Sequence, residues 1–302
     1  MKRSRPIAAE GCSRDAVQTG PEADAFAFVT ELASELSWGK IDLPGIPDIA
    51  MRVRKALEDD DVSSELIERV VGSEPVLAAR LVQLANSAAL NASGRRVSDL
   101  HMAIARTGFA MVRTTAIAYA ISQLRNQKEL KDLEQPLSVL WKRCTLVAAM
   151  CRAIAPRISK VNPDAAMLAG LLHGVGELYI LTCTRKHERL FKNDVAYRGI
   201  IRDWHASIAK AILENWELDE GIVNAVGEFE QYDREHDGPV DLTDVLTVGY
   251  LLAAYHEHPS SLELNMNDVA VCRRLNLGLQ DYETLIRESR DEVNALRDVL
   301  DS

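Results

Sequence analysis

Aromatic residues make up only 5 % of this 302-residue chain. Its most apolar stretches, Ala165–Leu172 and Leu246–Tyr255, fall far short of the roughly 20 residues that a membrane-spanning helix needs. The five cysteines, Cys12, Cys144, Cys151, Cys183 and Cys272, form no Cys-x-x-Cys pair and are odd in number. That pattern speaks against a disulfide framework and for buried free thiols in a reducing compartment. Positive charge is in deficit, with 35 Lys and Arg against 45 Asp and Glu, a net of −10. Nucleic acids and anionic lipid surfaces are both held by clustered cations, so neither is an expected partner. No Gly-x-Ser-x-Gly, Walker A or Gly-x-Gly-x-x-Gly phrase occurs, which removes the commonest nucleophile elbow and phosphate cradles. The basic start MKRSRPIAAEGCSRD leads into no apolar stretch, so it does not read as a secretory leader, and the cytoplasm is the expected location.

Hydrophobic residues are plentiful, at 47 %. A chain of this length buries about three quarters of its unfolded surface and needs neither disulfide nor metal to hold it. Period-two alternation is absent, while a helical period runs almost everywhere from Phe26 onward. Residues 1–24 have no periodicity and read as a mobile tail. Pro47 suits a first helical turn, Ser73 is placed to cap a helix carrying Pro75, and Asn162-Pro163 reads as a cap followed by proline. A helical run on either side of Gly108 is expected to divide there. Leu77, Leu81 and Leu84 share one helix face and are expected in the core. The fold class is therefore all-α, a helical bundle of two subdomains. Residues 25–135 form the first and 136–258 the second, and 259–302 form a C-terminal helical extension. That extension carries Tyr282, Ile286, Val293, Leu296 and Leu300 near one stripe, interrupted by Ser289. It can pack on its own bundle or offer a contact to a partner.

Several phrases in the first half occur in a recognisable order. They are LPGIPDIA at Leu43–Ala50, DVSSELIERVVGSEPVLAARLVQLANS at Asp61–Ser87 and RRVSDLHMAIARTGF at Arg95–Phe109. In these the chain resembles the HDOD domains of bacterial signalling proteins, over about Ile41 to Ala254. The second half is similar to a degenerate HD domain, the fold of His/Asp metal-dependent phosphohydrolases. LAGLLHGVGELYIL at Leu168–Leu181 stands where catalytic relatives read LLHDIGK, and Trp204–Val226 matches the next stretch of those relatives.

The resemblance assigns the site position by position. The His-Asp pair of the catalytic relatives is His173-Gly174 here, so the bridging carboxylate is gone. The early-helix histidine position, two after Trp141, holds Arg143, a permanent cation where a metal would sit. The distal aspartate position falls on Tyr250, and a paired-histidine position of some relatives falls near Glu228 and Phe229. His173 and His205 remain. One or two imidazoles without the expected carboxylates make a poor hard-cation site. The resemblance therefore implies no catalytic residues, no metal and no cofactor at these positions.

Two other histidine groups read as structural. His236-Asp237 lies in a polar stretch with Gly238-Pro239 and is expected to be a solvated turn. His256-Glu257-His258 are consecutive on a helix and do not share a face. Cys144 and Cys151 lie in an apolar run and read as core. The expected function is a non-catalytic signalling module that works by contact with another protein, such as a histidine kinase or a GGDEF-type enzyme. Two alternatives are a divergent metal-dependent phosphohydrolase acting on a nucleotide, and a domain that senses a nucleotide through Arg143 without cleaving it.

Overall fold

A computed structural model of the chain describes residues 21–39, 41, 43, 48–57, 62–125, 128–183, 194–257, 269–276 and 278–301. Among these residues all regular structure is helical, as predicted. The first half holds α1 (Pro21–Ser37), α2 (Asp48–Ala56), α3 (Ser64–Gly72), α4 (Pro75–Ala85) and α5 (Leu100–Arg125). A 3-10 turn over Lys128–Leu133 leads into α6 (Glu134–Ile158). Next come α7 (Pro163–Leu172), α8 (Val175–Cys183), α9 (Asp194–Asn215), α10 (Glu220–Glu228) and α11 (Leu242–Tyr255). The last two are α12 (Ala270–Leu275) and α13 (Leu279–Asp301). Pro47 and His258 lie outside the described residues, as do residues 1–20, and the expected tail boundary at residue 24 falls inside the first turn of α1.

Local chemistry sets the helix ends. Asn162 Oδ1 accepts from the Asp164 amide at 2.8 Å, and Pro163 opens α7, as the sequence predicts. Ser63 Oγ caps α3 by accepting from Leu66 N. The expectation for Ser73 is not met. Only Ser73 and Glu74 separate α3 from α4, and in that tight turn Ser73 Oγ donates backwards to Val70 O at 2.7 Å. Glu74 occupies the cap of α4 without a side-chain bond. Gly108 divides α5, with φ 74° and ψ 165°, a backbone conformation that side chains with a Cβ rarely adopt.

Two cores result. A smaller one gathers Ile49, Val53, Ile67, Val71, Leu77, Leu81 and Ile104 from α2 to α5. Leu77, Leu81 and Leu84 are all fully buried, as their spacing predicts. Leu81→Ala is expected to lower stability by about 3 kcal/mol, through lost transfer energy and the cavity left behind. A chemical-denaturation midpoint close to that of the parent protein would contradict the packing. The larger core surrounds α6, which packs on α7, α11 and α13. α1 also leans on this second half, lying against α9, with Asn215 Nδ2 donating to Ile41 O at 2.5 Å.

The segment Pro163–Cys183 is apolar and 21 residues long, but it is broken at the α7–α8 junction and its most apolar 18-residue window is 89 % buried inside the bundle. Taken as one span it exceeds the length read from the sequence, where polar His173 splits the run. Among the described residues Cys144, Cys151, Cys183 and Cys272 form no disulfide. On α13, Tyr282, Ile286, Val293, Leu296 and Leu300 are buried, as is Ser289. The helix packs mainly on α6 and also touches α4 and α5, so its stripe is core.

Candidate functional site

Five elements bring the expected residues together. α6 supplies Arg143, the α7–α8 junction supplies His173 and Gly174, α9 supplies His205, and α11 supplies Tyr250. His173 is 2 % exposed. Its Nδ1 lies 2.6 Å from Gly170 O. A carbonyl oxygen only accepts, so Nδ1 carries the proton and Nε2 bears the lone pair. Nε2 is buried with no hydrogen-bond partner among the described residues. The ring sits edge-on to Phe229 and Tyr250, with centroids 5.6 and 5.5 Å away.

The charges around it are already paired. Arg143 forms an ion pair with Glu177 of α8. Burial opposes the Arg143 charge, but Glu177 outweighs it and holds the guanidinium above its usual value. His205 Nε2 donates to Glu230 Oε2 at 2.8 Å. Burial alone would raise the Glu230 carboxyl, but the hydrogen bond and charge of His205, with His173 and Arg143, bring it below its usual range.

Burial, and then the charge of Arg143, push His173 down to about 3. In the unfolded chain an imidazole titrates near 6.5. The unfolded state therefore binds a proton that the folded state refuses between those values, and stability falls as pH falls through that window. Between pH 7.5 and 5 this one residue is expected to cost about 2 kcal/mol. Comparing the stability of His173→Gln and the parent protein at both pH values should show a smaller acid loss in the variant. Equal losses would contradict the buried neutral imidazole.

The donors do not fit a metal of the kind that catalytic HD domains hold. His173 offers a lone pair, but Arg143 brings a cation and both nearby carboxylates are engaged by it and by His205. At Gly174 the missing ligand's side chain would have to displace its neighbours. A Cβ there would lie 2.5 Å from Cys144 Sγ and 2.9 Å from Leu140 Cδ1. Cys144 is itself a buried thiol, pushed up to about 12 by burial. Its expected place in the core is what the structure shows.

Sequence reasoning missed Glu177 and Glu230. Glu177 stands four residues after His173, a spacing that places side chains side by side. Glu230 comes directly after the two positions where paired histidines were sought. The expectation for His236 is corrected. Asp237 is exposed, but His236 is half-buried and its Nε2 lies 2.9 Å from Asp244 Oδ2. The buried carboxylate at the start of α11 draws the histidine out of solvent. His236, Asp241 and Asp244 lie close enough to share an ion, yet Arg234 and Arg274 already hold the two carboxylates.

The family model for the HDOD domain matches residues 43–232, and the chain belongs to that family. Tyr250 lies beyond the match but packs edge-on against His173. A protein of uncharacterised function from Treponema pallidum is 24 % identical over 211 residues, which are 65 % of this chain and 39 % of that protein. The chain thus spans about two fifths of that relative's length. Among solved structures, one from Shewanella amazonensis SB2B, provisionally described as a metal-dependent phosphohydrolase, matches with a TM-score of 0.67 and 22 % identity. It covers 88 % of this chain and 99 % of its own. An HDOD domain protein of unknown function from Geobacter sulfurreducens gives 0.62 and 23 %, over 90 % and 97 %. A protein from Marinobacter aquaeolei VT8, provisionally described as a signal transduction protein, gives 0.58 and 20 %, over 95 % and 68 %. At these identities the likeness establishes the fold.

Proposed function

We propose that this chain is a signalling module that acts through contact with other proteins and does not hydrolyse phosphodiesters. The observation that carries this reading is Gly174. Catalytic HD relatives hold a bridging aspartate there, and here Cys144 Sγ and Leu140 Cδ1 stand 2.5 and 2.9 Å from where its Cβ would lie. Metal catalysis of hydrolysis needs converging ligands that polarise phosphate and acidify water. Arg143, Gly174 and Tyr250 supply none of them. What remains is a rigid bundle with surfaces, in keeping with the signal-transduction description of the Marinobacter protein. Its partners, on this reading, are histidine kinases or GGDEF-type enzymes in the cytoplasm.

Elemental analysis of the purified protein is expected to find no stoichiometric iron, manganese or zinc. Assays on cyclic and linear phosphodiesters are expected to show no turnover. Near-stoichiometric metal that disappears in His173→Ala would overturn the reading in favour of a divergent phosphohydrolase. Affinity capture from native cell extract is expected to retain a signalling protein, and capture of metabolic enzymes alone would count against it.

The bare His173 Nε2 and the buried, unpartnered Nε of Arg143 favour a second reading, binding without cleavage. A nucleotide with one phosphate on Arg143 and a donor on His173 would satisfy both atoms. A ligand that binds only the folded state raises its apparent stability. A nucleotide thermal-shift series, repeated with His173→Gln, tests this.

A further inference from the structure

The stretch between α10 and α11 does more than hold Glu230 beside His205. At its far end it meets α12, where Ala270 N donates to Tyr232 O at 2.7 Å. Between them lies a hollow of about 360 Å³ lined by Arg234, Glu235, His236, Ala270, Arg273 and Arg274. Three guanidiniums and an imidazole on one wall are unexpected in a chain of net charge −10.

The acids that compensate these cations stand mostly behind them. Asp241 and Asp244 are locked in a reciprocal capping box at the start of α11, each accepting from the other's backbone amide at 3.0 Å. Asp244, whose side chain is 4 % exposed, pairs with Arg274 and lies 3.4 Å from Arg234 Nη1. Asp241 takes Arg234 Nη2 at 2.7 Å, and Glu228 lies 3.3 Å from Arg234 Nε. Arg274 Nη1 also donates to His236 O at 3.2 Å. None of these three acids lines the hollow. They fix Arg234 and Arg274 from the rear and so set the direction of those two guanidiniums. Glu235 is the one acid on the wall, and its side chain is 83 % exposed, 3.8 Å from Arg273.

A guanidinium has five N–H donors in a planar fork that matches phosphate oxygens, and pre-orientation lowers the entropy lost on binding. We propose that this hollow binds the phosphate of a small phosphorylated metabolite, with Arg234, Arg273 and Arg274 as its donors. It is a site separate from the His173 pocket and independent of the role proposed for that pocket. Ala270 is the one apolar residue among those that line the hollow, which argues for a ligand recognised by its charge. The size of the hollow admits a diphosphate or a short phosphate ester.

The test uses the full chain, with inorganic phosphate and pyrophosphate as probes and sodium chloride at matched ionic strength as the reference. Calorimetry and thermal unfolding are expected to show saturable binding of pyrophosphate that chloride does not reproduce. Arg273 lies half in solvent, so Arg273→Ala should keep the unliganded melting temperature and weaken pyrophosphate binding at least tenfold. Should that variant itself lose stability, Arg273→Lys, which keeps the charge but not the fork, is expected to stay folded and bind several-fold more weakly. Arg143→Gln, which alters the other pocket, is expected to bind as the parent does. No stabilisation beyond that of chloride would overturn the proposal. Binding unchanged in both Arg273 variants, or lost in Arg143→Gln, would overturn it equally.

Discussion

Gly174→Asp, which writes the His-Asp pair of catalytic HD domains back into this chain, is expected to destabilise the fold by about 4–6 kcal/mol and to restore no hydrolysis. Overpacking a core costs about 1–3 kcal/mol, and a buried carboxylate without a proper partner adds several more. The new Cβ would press on Cys144 Sγ and Leu140 before any carboxylate is added. Arg143 is near, but it is committed to Glu177, and moving it would strand that acid. Gly174→Ala isolates the packing part and should account for the smaller share of the loss. Chemical denaturation gives both numbers, and a phosphodiester assay with added manganese gives the rest. A loss below about 1 kcal/mol would contradict the close contacts at Gly174. Metal-dependent turnover in the single variant would show that the ligand positions have been assigned to the wrong residues.

Two residues further on, Gly176→Ala is expected to cost about 4 kcal/mol. A Cβ at this point would overlap the carbonyl oxygen of His205 and lie 2.8 Å from its carbon and 3.0 Å from Ala209 N. These are backbone atoms, so no rotamer change relieves the clash, and α8 must move off α9. Such overpacking exceeds the usual range of about 1–3 kcal/mol because helix translation disturbs a whole interface. The effect should also be local in a diagnostic way. Displacement of α9 carries His205 away from Glu230, so the His205 ring signals should shift in NMR more than those of His101, which is tied to Glu68 in the first half. A variant as stable as the parent, with unshifted ring signals, would show that α8 and α9 are not in contact there.

Much of the bundle is legible because helical periodicity and caps are local. Leu77, Leu81 and Leu84 repeat on one face, and Asn162-Pro163 carries its cap chemistry in adjacent residues. Ser73 misleads for the same reason. Whether a serine closes one helix or opens the next depends on how tightly the two are joined, which sequence spacing alone does not state. The site is legible at Arg143, His173, Gly174, His205 and Tyr250 because a family resemblance supplies the register. It is not legible at Glu177 and Glu230, since which cation each acid meets depends on how α6, α8 and α9 cross. His236 illustrates the same limit. Its neighbours in sequence are turn residues, while its partners Asp244 and Arg274 arrive from α11 and α12.

Helix α13 lies across α6 and reaches α4 and α5. It is synthesised after every element it braces, yet it buries Tyr282, Ile286, Val293 and Leu296 against them. While the ribosome is still making residues 279–301, the receiving surface on α6 therefore stays uncovered. The two halves cannot be completed one after the other as they emerge. Their final closure waits until this helix has emerged, and until then the nascent chain leaves an apolar row exposed.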